Sequence, residues 1–228
     1  MPIDTPSRRL VITGGSSGLG AEVVTRALFK GWEVTVIDRN PSEKAPTVLA
    51  DLSDTAAAFA AGEEAIGDGR AIDALVLCAG INIPGMFEEQ DIETWSKPIA
   101  VNLLGNAAVA RAGISALKAA KGRLVGIGST AGRRITPGMS AYGVSKHAFR
   151  AMFHALSLEL NGVIPISLVN PGTMDTNFFD GRPERFTPSM DRMAPGNVAD
   201  TVMFCLEQPS SVVIRELYVT DVTVHDWP

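Results

Sequence analysis

Near its amino terminus the chain reads Leu10-Val11-Ile12-Thr13-Gly14-Gly15-Ser16-Ser17-Gly18-Leu19-Gly20. The first residues of this stretch are an apolar run of the kind found in strands that are covered on both faces. A glycine-rich turn follows directly, and an Ala/Val-rich stretch of helical length, 18–30, follows the turn. A strand, a tight turn and a helix in this order form the first half of a βαβ unit. The stretch therefore predicts an α/β fold with a parallel sheet.

Apolar runs and Ala-rich stretches continue to alternate along the rest of the chain. The apolar runs lack the two-residue alternation of half-exposed strands, as expected for a sheet with helices on both faces. No change of composition suggests a linker, and no internal repeat is visible. We therefore predict a single domain over residues 1–228 with a doubly wound parallel sheet. The predicted strands are 10–13, 33–37, 47–50, 74–79, 123–127, 164–169 and 212–219, and the predicted helices are 18–30, 55–66, 94–118, 141–160 and 197–207.

Composition and charge narrow the class of protein. The chain has 228 residues, of which 46% are apolar and 20% charged, and its net charge is −5. These values are typical of a globular domain, and an acidic balance without long basic runs gives no support for nucleic-acid binding. Cys78 and Cys205 are too far apart to indicate a disulfide framework or a metal site. The apolar runs are short and no signal-peptide pattern is present, so we expect a soluble, cytoplasmic protein without membrane or metal partners.

The glycine-rich turn has the spacing Thr-Gly-x-x-x-Gly-x-Gly, with glycines at 14, 18 and 20. Glycine permits unusual backbone dihedrals and lets the backbone approach a pyrophosphate closely. The amide hydrogens and partial positive charge of the following helix also favour an anion. The turn therefore predicts a dinucleotide site, and a purely structural turn is the alternative.

Two aspartates follow the next two predicted strands. Asp38, 18 residues beyond Gly20, could accept both ribose hydroxyls of adenosine and repel a 2′-phosphate, or it could cap a turn. The neighbouring Arg39 could instead hold that phosphate. We favour NAD over NADP because the glycine turn contains no basic residue. Asp51 either contacts the adenine ring or caps the next helix.

A second motif consists of two residues four positions apart in Tyr142-Gly143-Val144-Ser145-Lys146. This spacing places both side chains on one face of a helix. An ammonium beside a phenol favours the phenolate and lowers a pKa that is ordinarily about 10. A phenol tuned in this way can exchange a proton with an alcohol or carbonyl oxygen. The motif predicts acid/base chemistry.

Two further polar residues each have a functional and a structural interpretation. Ser129 follows the strand 123–127, at the end where open α/β sheets bind their ligands, but serine is also common in turns. Asn102 lies inside the predicted helix 94–118, where Asn is a poor helix former. It could hold a water, bend the helix or face solvent.

Together these motifs resemble the short-chain dehydrogenase/reductase family, in its single-domain branch. They occur in the family's order over most of the chain. The resemblance implies a seven-stranded parallel sheet of the Rossmann type. The matching residues are Thr13-Gly14-x-x-x-Gly18-x-Gly20, Asp51, Cys78-Ala79-Gly80, Asn102, Ser129, Tyr142, Lys146 and Asn170-Pro171-Gly172.

The resemblance also implies an oxidoreductase that transfers a hydride between a nicotinamide cofactor and a secondary alcohol or ketone. Tyr142 would be the general acid/base, and Lys146 would bind the nicotinamide ribose and lower the pKa of Tyr142. Ser129 would orient and polarise the substrate oxygen, and Asn102 would hold a water that links Lys146 to solvent. A dinucleotide-binding sensor or scaffold with the same fold and no turnover is the alternative function.

The expected cofactor is NAD, with NADP possible through Arg39, and the expected partner is a small-molecule alcohol or carbonyl compound. Residues 173–195 would form a substrate lid, in which Phe178 and Phe179 either line the substrate pocket or anchor the loop. The Ala-rich helices 94–118 and 141–160 would form the interface of a homodimer or homotetramer. The cofactor contacts implied by the resemblance are Gly14, Ser16, Ser17, Gly18, Leu19, Asp38, Asp51, Leu52, Ala79, Gly80, Tyr142, Lys146, Pro171, Gly172, Thr173 and Thr176.

The chain departs from the family pattern at two sites that bear on function. The family's usual Asn-Ala-Gly is Cys78-Ala79-Gly80 here, at a position where small residues let the chain pass close to a cofactor. The segment 214–220 lacks the glycine-rich ending of many relatives, which bears on the expected tetramer contacts.

Overall fold

The computed structural model describes residues 7–67, 69–179 and 192–224. Seven strands in these ranges form one sheet in the order β3-β2-β1-β4-β5-β6-β7, and every pairing is parallel. The predicted doubly wound parallel sheet is therefore confirmed. The strands are β1 Arg9–Thr13, β2 Glu33–Asp38, β3 Thr47–Leu49, β4 Ala74–Leu77, β5 Arg123–Ile127, β6 Ile166–Pro171 and β7 Glu216–Val219.

Six α-helices connect the strands in the described part of the chain. They are α1 Gly18–Phe29, α2 Thr55–Ile66, α3 Ile92–Ile99, α4 Asn106–Ala120, α5 Ser140–Glu159 and α6 Pro195–Leu206. The prediction of one uninterrupted helix over 94–118 is wrong, because a π-helical segment, Ala100–Gly105, separates α3 from α4. Such segments contain an extra residue per turn and often mark functional sites.

The sheet separates two apolar cores. One core contains α1 and α6, and the other contains α2, α4 and α5. Within β1, Leu10 and Ile12 face the first core and Val11 faces the second. Because the central strands β1, β4, β5 and β6 are covered on both faces, almost all of their positions are apolar, which explains the continuous apolar runs in the sequence.

The order of the strands reverses at β1 and β4, which lie next to each other. The connection that leaves β1 runs towards one side of the sheet, and the connection that leaves β4 runs towards the other. The two chains therefore diverge at their carboxyl ends and leave a crevice, which is where open α/β sheets bind ligands. The glycine turn after β1 and Ala79-Gly80 after β4 both lie at this point.

One helical stretch of the described residues, 92–120, is long and apolar enough to cross a membrane by length and composition alone. Of the 18-residue window with the highest hydropathy, 33% is buried. The core helix of a soluble protein also passes this test of length and composition. Here α4 packs against α2 and β4 and contributes Val109 and Leu117 to the second core. This packing is that of a helix laid on a sheet, and the absence of a membrane partner stays a prediction.

The contact between β5 and α5 depends on a missing side chain. A Cβ at Gly126 would lie 2.7 Å from Cε1 of Phe153, and closer still to its Cζ. Phe153 is buried in the second core with only 2% exposure, so its ring has no room to retreat. Gly126 therefore sets the distance between α5, which carries Tyr142 and Lys146, and the sheet.

We predict that Gly126→Ala lowers the free energy of unfolding by about 1–3 kcal/mol, the usual cost of overpacking a core. Urea unfolding followed by circular dichroism measures the change. The matched variant Gly126→Ala/Phe153→Leu should regain part of the loss, because the smaller side chain relieves the clash. An unchanged or raised free energy of unfolding in Gly126→Ala would contradict the packing described here.

Candidate active site

The residues predicted from the sequence converge on one cleft of about 1060 Å³ at the carboxyl edge of the sheet. Every predicted catalytic and cofactor residue lines this cleft except Asn102, which lies behind its wall. Residues from the ends of β1, β2, β4, β5 and β6 contribute to the lining, so the convergence is a consequence of the parallel sheet. The lining members of the predicted set are Gly14, Ser16, Ser17, Gly18, Leu19, Asp38, Asp51, Leu52, Ala79, Gly80, Ser129, Tyr142, Lys146, Pro171, Gly172, Thr173 and Thr176.

The glycine turn packs so closely that side chains cannot be added. Gly14 has a φ of +71°, and a Cβ there would lie 2.7 Å from Cα of Ala79. A Cβ at Gly20 would overlap the carbonyl oxygen of Gly14. The sequence motif missed Gly15, whose Cβ would lie 2.8 Å from Cγ2 of Val36. The turn is therefore pressed against both β2 and the loop after β4.

The amino terminus of α1 faces the cleft with open hydrogen-bond donors. Ser17 is the N-cap residue, but its side chain makes no capping hydrogen bond, and the first turn carries no acidic residue. The amide groups at the start of α1 and the helix dipole are thus available to an anion. A glycine turn that a Cβ would fill and an uncapped helix terminus together fit the diphosphate of a dinucleotide.

Asp38 caps the turn, as one of its two sequence interpretations predicted, and its contact with an adenosine ribose stays a prediction. Its Oδ2 accepts hydrogen bonds from Ser16 N (3.1 Å) and Ser16 Oγ (2.7 Å), while Oδ1 accepts one from Asn40 N (3.1 Å). The carboxylate therefore holds the turn and also lines the cleft. Arg39 is exposed and lines the same end of the cleft.

The helix-capping interpretation of Asp51 is wrong. Asp54 is the N-cap of α2 and accepts hydrogen bonds from the amides of Ala56 (2.9 Å) and Ala57 (3.1 Å). Asp51 instead accepts a hydrogen bond from the amide of Ser53, and this bond is the main reason why the pKa of Asp51 lies below its usual value. Its side chain is left at the edge of the cleft.

Lys146 is buried, with 4% exposure, one helical turn after Tyr142. Its Nζ donates a hydrogen bond to the carbonyl of Ile127 at 2.8 Å and lies 5.8 Å from the centre of the Tyr142 ring. Burial lowers the pKa of Lys146 from 10.5 to about 8, because the ammonium loses its solvent. The predicted placement of the two side chains on one helix face is confirmed.

Tyr142 and Ser129 lie on the wall of the same cleft as Lys146. The Tyr142 ring, 8% exposed, packs on Phe178 with ring centres 5.8 Å apart. Ser129 follows β5, where its Oγ accepts a hydrogen bond from Ala131 N (3.1 Å) and its own amide donates to Asn170 Oδ1 (3.3 Å). Ser129 therefore both forms a turn after β5 and lies on the wall of the cleft.

Asn102 is fully buried in the π-helical segment. Its Oδ1 accepts a hydrogen bond from Ile81 N (2.7 Å), and its Nδ2 donates to Ile81 O (2.9 Å) and Ser145 Oγ (2.9 Å). The solvent-facing interpretation is thus wrong. The side chain instead fixes the loop after β4 beside the helix that carries Lys146, and both of its amide hydrogens are committed to protein acceptors.

Thr13, to which the sequence analysis gave no role of its own, and Asn106, which it missed, hold this region together. Thr13 Oγ1 accepts hydrogen bonds from the amides of Cys78 and Ala79, both at 3.0 Å, and donates to Asn106 Oδ1 at 2.8 Å. Asn106 Nδ2 in turn donates to the carbonyl of Ala79 at 2.9 Å. The available signal was a second Asn four residues after Asn102 in an otherwise apolar helical stretch.

The predicted lid is described only at its two ends. Met174 and Met193 form a parallel bridge, and the amide of Met193 donates to Thr173 O at 3.0 Å. Phe178 contacts Tyr142 and lines the cleft, whereas the side chain of Phe179 and residues 180–191 lie outside the described residues. The closure of this segment over the cleft stays a prediction. Among the residues described, no group of three or more His, Cys, Asp or Glu side chains could hold a metal ion.

The lowered pKa of Lys146 has a consequence for stability. Between pH 8 and 10.5 the unfolded chain keeps the proton on this residue and the folded protein releases it, so stability rises with pH through this window. We predict that the free energy of unfolding of the wild type gains up to about 3 kcal/mol relative to Lys146→Met over this range. Denaturant unfolding of both proteins at a series of pH values measures the difference, and parallel pH profiles would contradict the burial of a charged Lys146.

Known proteins resemble this chain in sequence and in fold. The family model described as short chain dehydrogenase matches residues 8–185, which is most of the chain. The chain is 35% identical over 185 residues to the 2,5-dichloro-2,5-cyclohexadiene-1,4-diol dehydrogenase LinX of Sphingobium indicum, covering 73% of this chain and 72% of that protein. Curated relatives differ in length, and the chain spans 18% of one and 100% of another.

Two solved structures show the same fold. An alcohol dehydrogenase from Thermococcus sibiricus complexed with 5-hydroxy-NADP has a TM-score of 0.86 and 23% identity, covering 96% of this chain and 99% of that one. A 3-ketoacyl-(acyl-carrier-protein) reductase from Brucella melitensis complexed with NADH has a TM-score of 0.83 and 25% identity, covering 93% and 96%. With its seven-stranded parallel sheet and the family match over residues 8–185, the chain belongs to the short chain dehydrogenase family, whose members are oxidoreductases with an NAD(P)-binding Rossmann fold.

Proposed function

We propose that this protein is an NAD(H)-dependent oxidoreductase that interconverts a secondary alcohol and a ketone, with Tyr142 as the general acid/base. The observation that carries the proposal is the buried pair of Tyr142 and Lys146 on the wall of the cleft that also contains the glycine turn. A binding protein without turnover has no need of a proton donor at this place. The dehydrogenase and the two enzymes named above act on alcohols or ketones, which supports the same class of substrate.

The proton chemistry follows from the three side chains around the cleft. In the direction of reduction, Tyr142 donates its phenolic proton to the carbonyl oxygen, and in the direction of oxidation its phenolate removes the proton of the alcohol. Ser129 donates a hydrogen bond to the same oxygen and stabilises its developing charge. The nicotinamide, when it is bound, supplies or accepts the hydride.

Lys146 keeps the charge that this role requires. A pKa of about 8 lies above neutral pH, so most of the protein carries an ammonium there. Within residues 7–67, 69–179 and 192–224, one of its three hydrogens is used by the carbonyl of Ile127, and the others would serve a ribose hydroxyl and the phenol side of the cleft. In this low-dielectric setting the ammonium favours the phenolate more strongly than it would in water.

The glycine turn and the two aspartates would hold the cofactor. The diphosphate would lie against the start of α1, and the adenosine ribose would lie near Asp38 at the end of β2. A carboxylate at this position accepts ribose hydroxyls and repels a 2′-phosphate, which supports NAD. Arg39 is the group through which NADP would be accommodated.

The walls beyond Tyr142 support an apolar substrate. Most side chains that border the cleft there are uncharged, and Phe178 covers the phenol from the side of the predicted lid. Lys97 and Arg134 are the charged side chains of the lining in these segments. Apolar walls with a few converging polar groups are typical of small-molecule sites. The apolar members of this wall are Ile81, Val101, Pro137, Met139, Met174 and Phe178.

We predict that Tyr142→Phe reduces turnover by at least about 100-fold, the usual contribution of a general acid/base. The loss follows because the phenylalanine ring has no proton to exchange. Consumption of NADH with a panel of ketones, and of NAD with secondary alcohols, measures the effect. Fluorescence titration with NADH should give an unchanged affinity, which shows that the variant is folded.

Two outcomes would count against this mechanism. Turnover by Tyr142→Phe at the wild-type rate would remove the assigned proton donor. A wild-type protein that binds NADH tightly but turns over no member of a wide panel of ketones and alcohols would instead support the sensor or scaffold function.

We predict that the wild type binds NADH at least about tenfold more tightly than NADPH, a difference of about 1.4 kcal/mol. Asp38→Asn should reduce the difference between the NADH and NADPH affinities, because it removes the repulsion of the 2′-phosphate. Arg39→Ala should bind NADPH more weakly than the wild type does. Asp54→Asn is the matched control, because it removes a carboxylate at the cap of α2 and Asn caps helices equally well. Tighter binding of NADPH by the wild type would overturn the NAD assignment.

A further inference from the structure

A bidentate ion pair ties the catalytic helix to the sheet. Arg150 lies one helical turn after Lys146 on α5, and Glu216 begins β7. Arg150 Nε donates to Glu216 Oε1 at 2.6 Å, and Nη2 donates to Oε2 at 3.0 Å. Paired bonds of this kind fix the mutual orientation of the two groups as well as their distance.

The same carboxylate orients a buried amide. Glu216 Oε1 also accepts hydrogen bonds from Tyr218 Oη (2.6 Å) and from Asn170 Nδ2 (3.1 Å). Asn170 has no exposed surface, and its Nδ2 makes a second bond to the carbonyl of Leu217 at 3.3 Å. With the nitrogen of the amide directed at these acceptors, its oxygen must point to the opposite side.

The oxygen of this amide reaches Ser129. Asn170 Oδ1 accepts a hydrogen bond from Ser129 N at 3.3 Å. A Cβ at the preceding residue, Gly128, would overlap Oδ1 of Asn170, so glycine is required there for the contact. A continuous set of hydrogen bonds therefore runs from Arg150 through Glu216 and Asn170 to the backbone of Ser129.

We propose that Arg150 and Glu216 are positioning residues, which hold Ser129 and the helix that carries Tyr142 and Lys146 in one fixed mutual geometry through Asn170. This inference rests on the proposed function, because the groups that it positions are those assigned to the proton chemistry. Neither residue is part of the family motifs found in the sequence, and neither lines the cleft.

The pair differs from an ordinary surface ion pair, which contributes little to stability. The Arg150 and Glu216 side chains are 40% and 28% exposed, so the direct attraction is screened. Their importance lies in keeping the carboxylate ionised and in place as the acceptor for Asn170. The Arg150 guanidinium is the main reason why the pKa of Glu216 lies below its usual value. Without this acceptor only the longer hydrogen bond to the carbonyl of Leu217 holds the nitrogen side of the Asn170 amide. In a flipped amide the NH₂ group would oppose the amide hydrogen of Ser129.

The first experiment compares steady-state kinetics of Arg150→Met with those of the wild type, using the best ketone of the panel and NADH. We expect kcat to fall by about 10- to 100-fold, the range in which small misplacements of reacting groups act. KM for the ketone and the Kd for NADH should change by less than about twofold, because Arg150 touches neither the cleft nor the cofactor turn. Arg150→Lys should restore part of kcat, because an ammonium keeps the charge but not the paired geometry.

Arg26→Met is the matched control. Arg26 joins α1 to α6 on the other face of the sheet through a bond to Asp200 (2.5 Å), and it also bonds Glu22 of its own helix (2.6 Å). It lies away from the cleft. This variant should lower the melting temperature about as much as Arg150→Met while leaving kcat unchanged. The kcat of each variant is expressed as a fraction of the wild-type kcat. If this fraction were the same for Arg150→Met and Arg26→Met, the positioning role would be overturned.

The second experiment does not depend on turnover. Native-state hydrogen exchange followed by NMR reports the protection of the Ser129 amide, with the Val11 amide in β1 as an internal reference. We expect Arg150→Met and Asn170→Ala to reduce the protection of Ser129 at least about tenfold relative to that reference. If the wild type turns over no substrate, the proposed function fails and this measurement still decides the role of the network. Unchanged protection of Ser129 in both variants would refute it.

Discussion

One buried hydroxyl group joins the parts from which the cleft is built. The chain leaves β1 and β4 towards different sides of the sheet, so the amides just beyond these strands lose their partners in the sheet and must find others. Thr13 Oγ1 accepts from the amides of Cys78 and Ala79 and donates to Asn106. The end of β1, the loop after β4 and the start of α4 are thereby fixed to one another. The glycine turn can approach Ala79 closely because this arrangement holds both backbones in place.

The π-helical segment extends the same arrangement towards Lys146. A widened turn leaves carbonyl groups outside the regular helical pattern, and Asn106 Nδ2 donates to those of Val101 and Asn102, both at 3.2 Å. The widened turn also directs the side chain of Asn102 to the backbone of Ile81 and to Ser145, which directly precedes Lys146. A π-helical segment is locally less stable than a regular α-helix. In this arrangement two asparagines in an apolar stretch connect the loop after β4 to α5, and the buried side-chain amides of both are hydrogen-bonded.

The sequence predicted the architecture well because the architecture rests on local patterns. Apolar runs, Ala-rich stretches and glycine positions gave the seven strands and most of the helices to within a few residues, but they did not show the π-helical segment between α3 and α4. The spacing of Tyr142 and Lys146 gave a shared helix face. One error is local, because Asp51 and Asp54 both precede α2 and only Asp54 is its cap. The other errors concern contacts between residues that are distant in the chain. Nothing near residue 102 shows that its partners lie at Ile81 and Ser145. The ion pair between Arg150 and Glu216 joins residues 66 positions apart, and no periodicity encodes such a pair.

Burial has two opposing effects on Lys146, and the site depends on their balance. Removal of solvent lowers the pKa of the Lys146 ammonium to about 8, so the charged form becomes less stable. The same loss of solvent strengthens the electric field that the ammonium exerts on its surroundings. The carbonyl of Ile127 offsets part of the lost solvation without neutralising the charge. Cys78 stands where relatives have an asparagine, and burial raises the pKa of its thiol to about 12. The thiol therefore stays neutral beside Lys146, and no thiolate at this position cancels the charge of the ammonium.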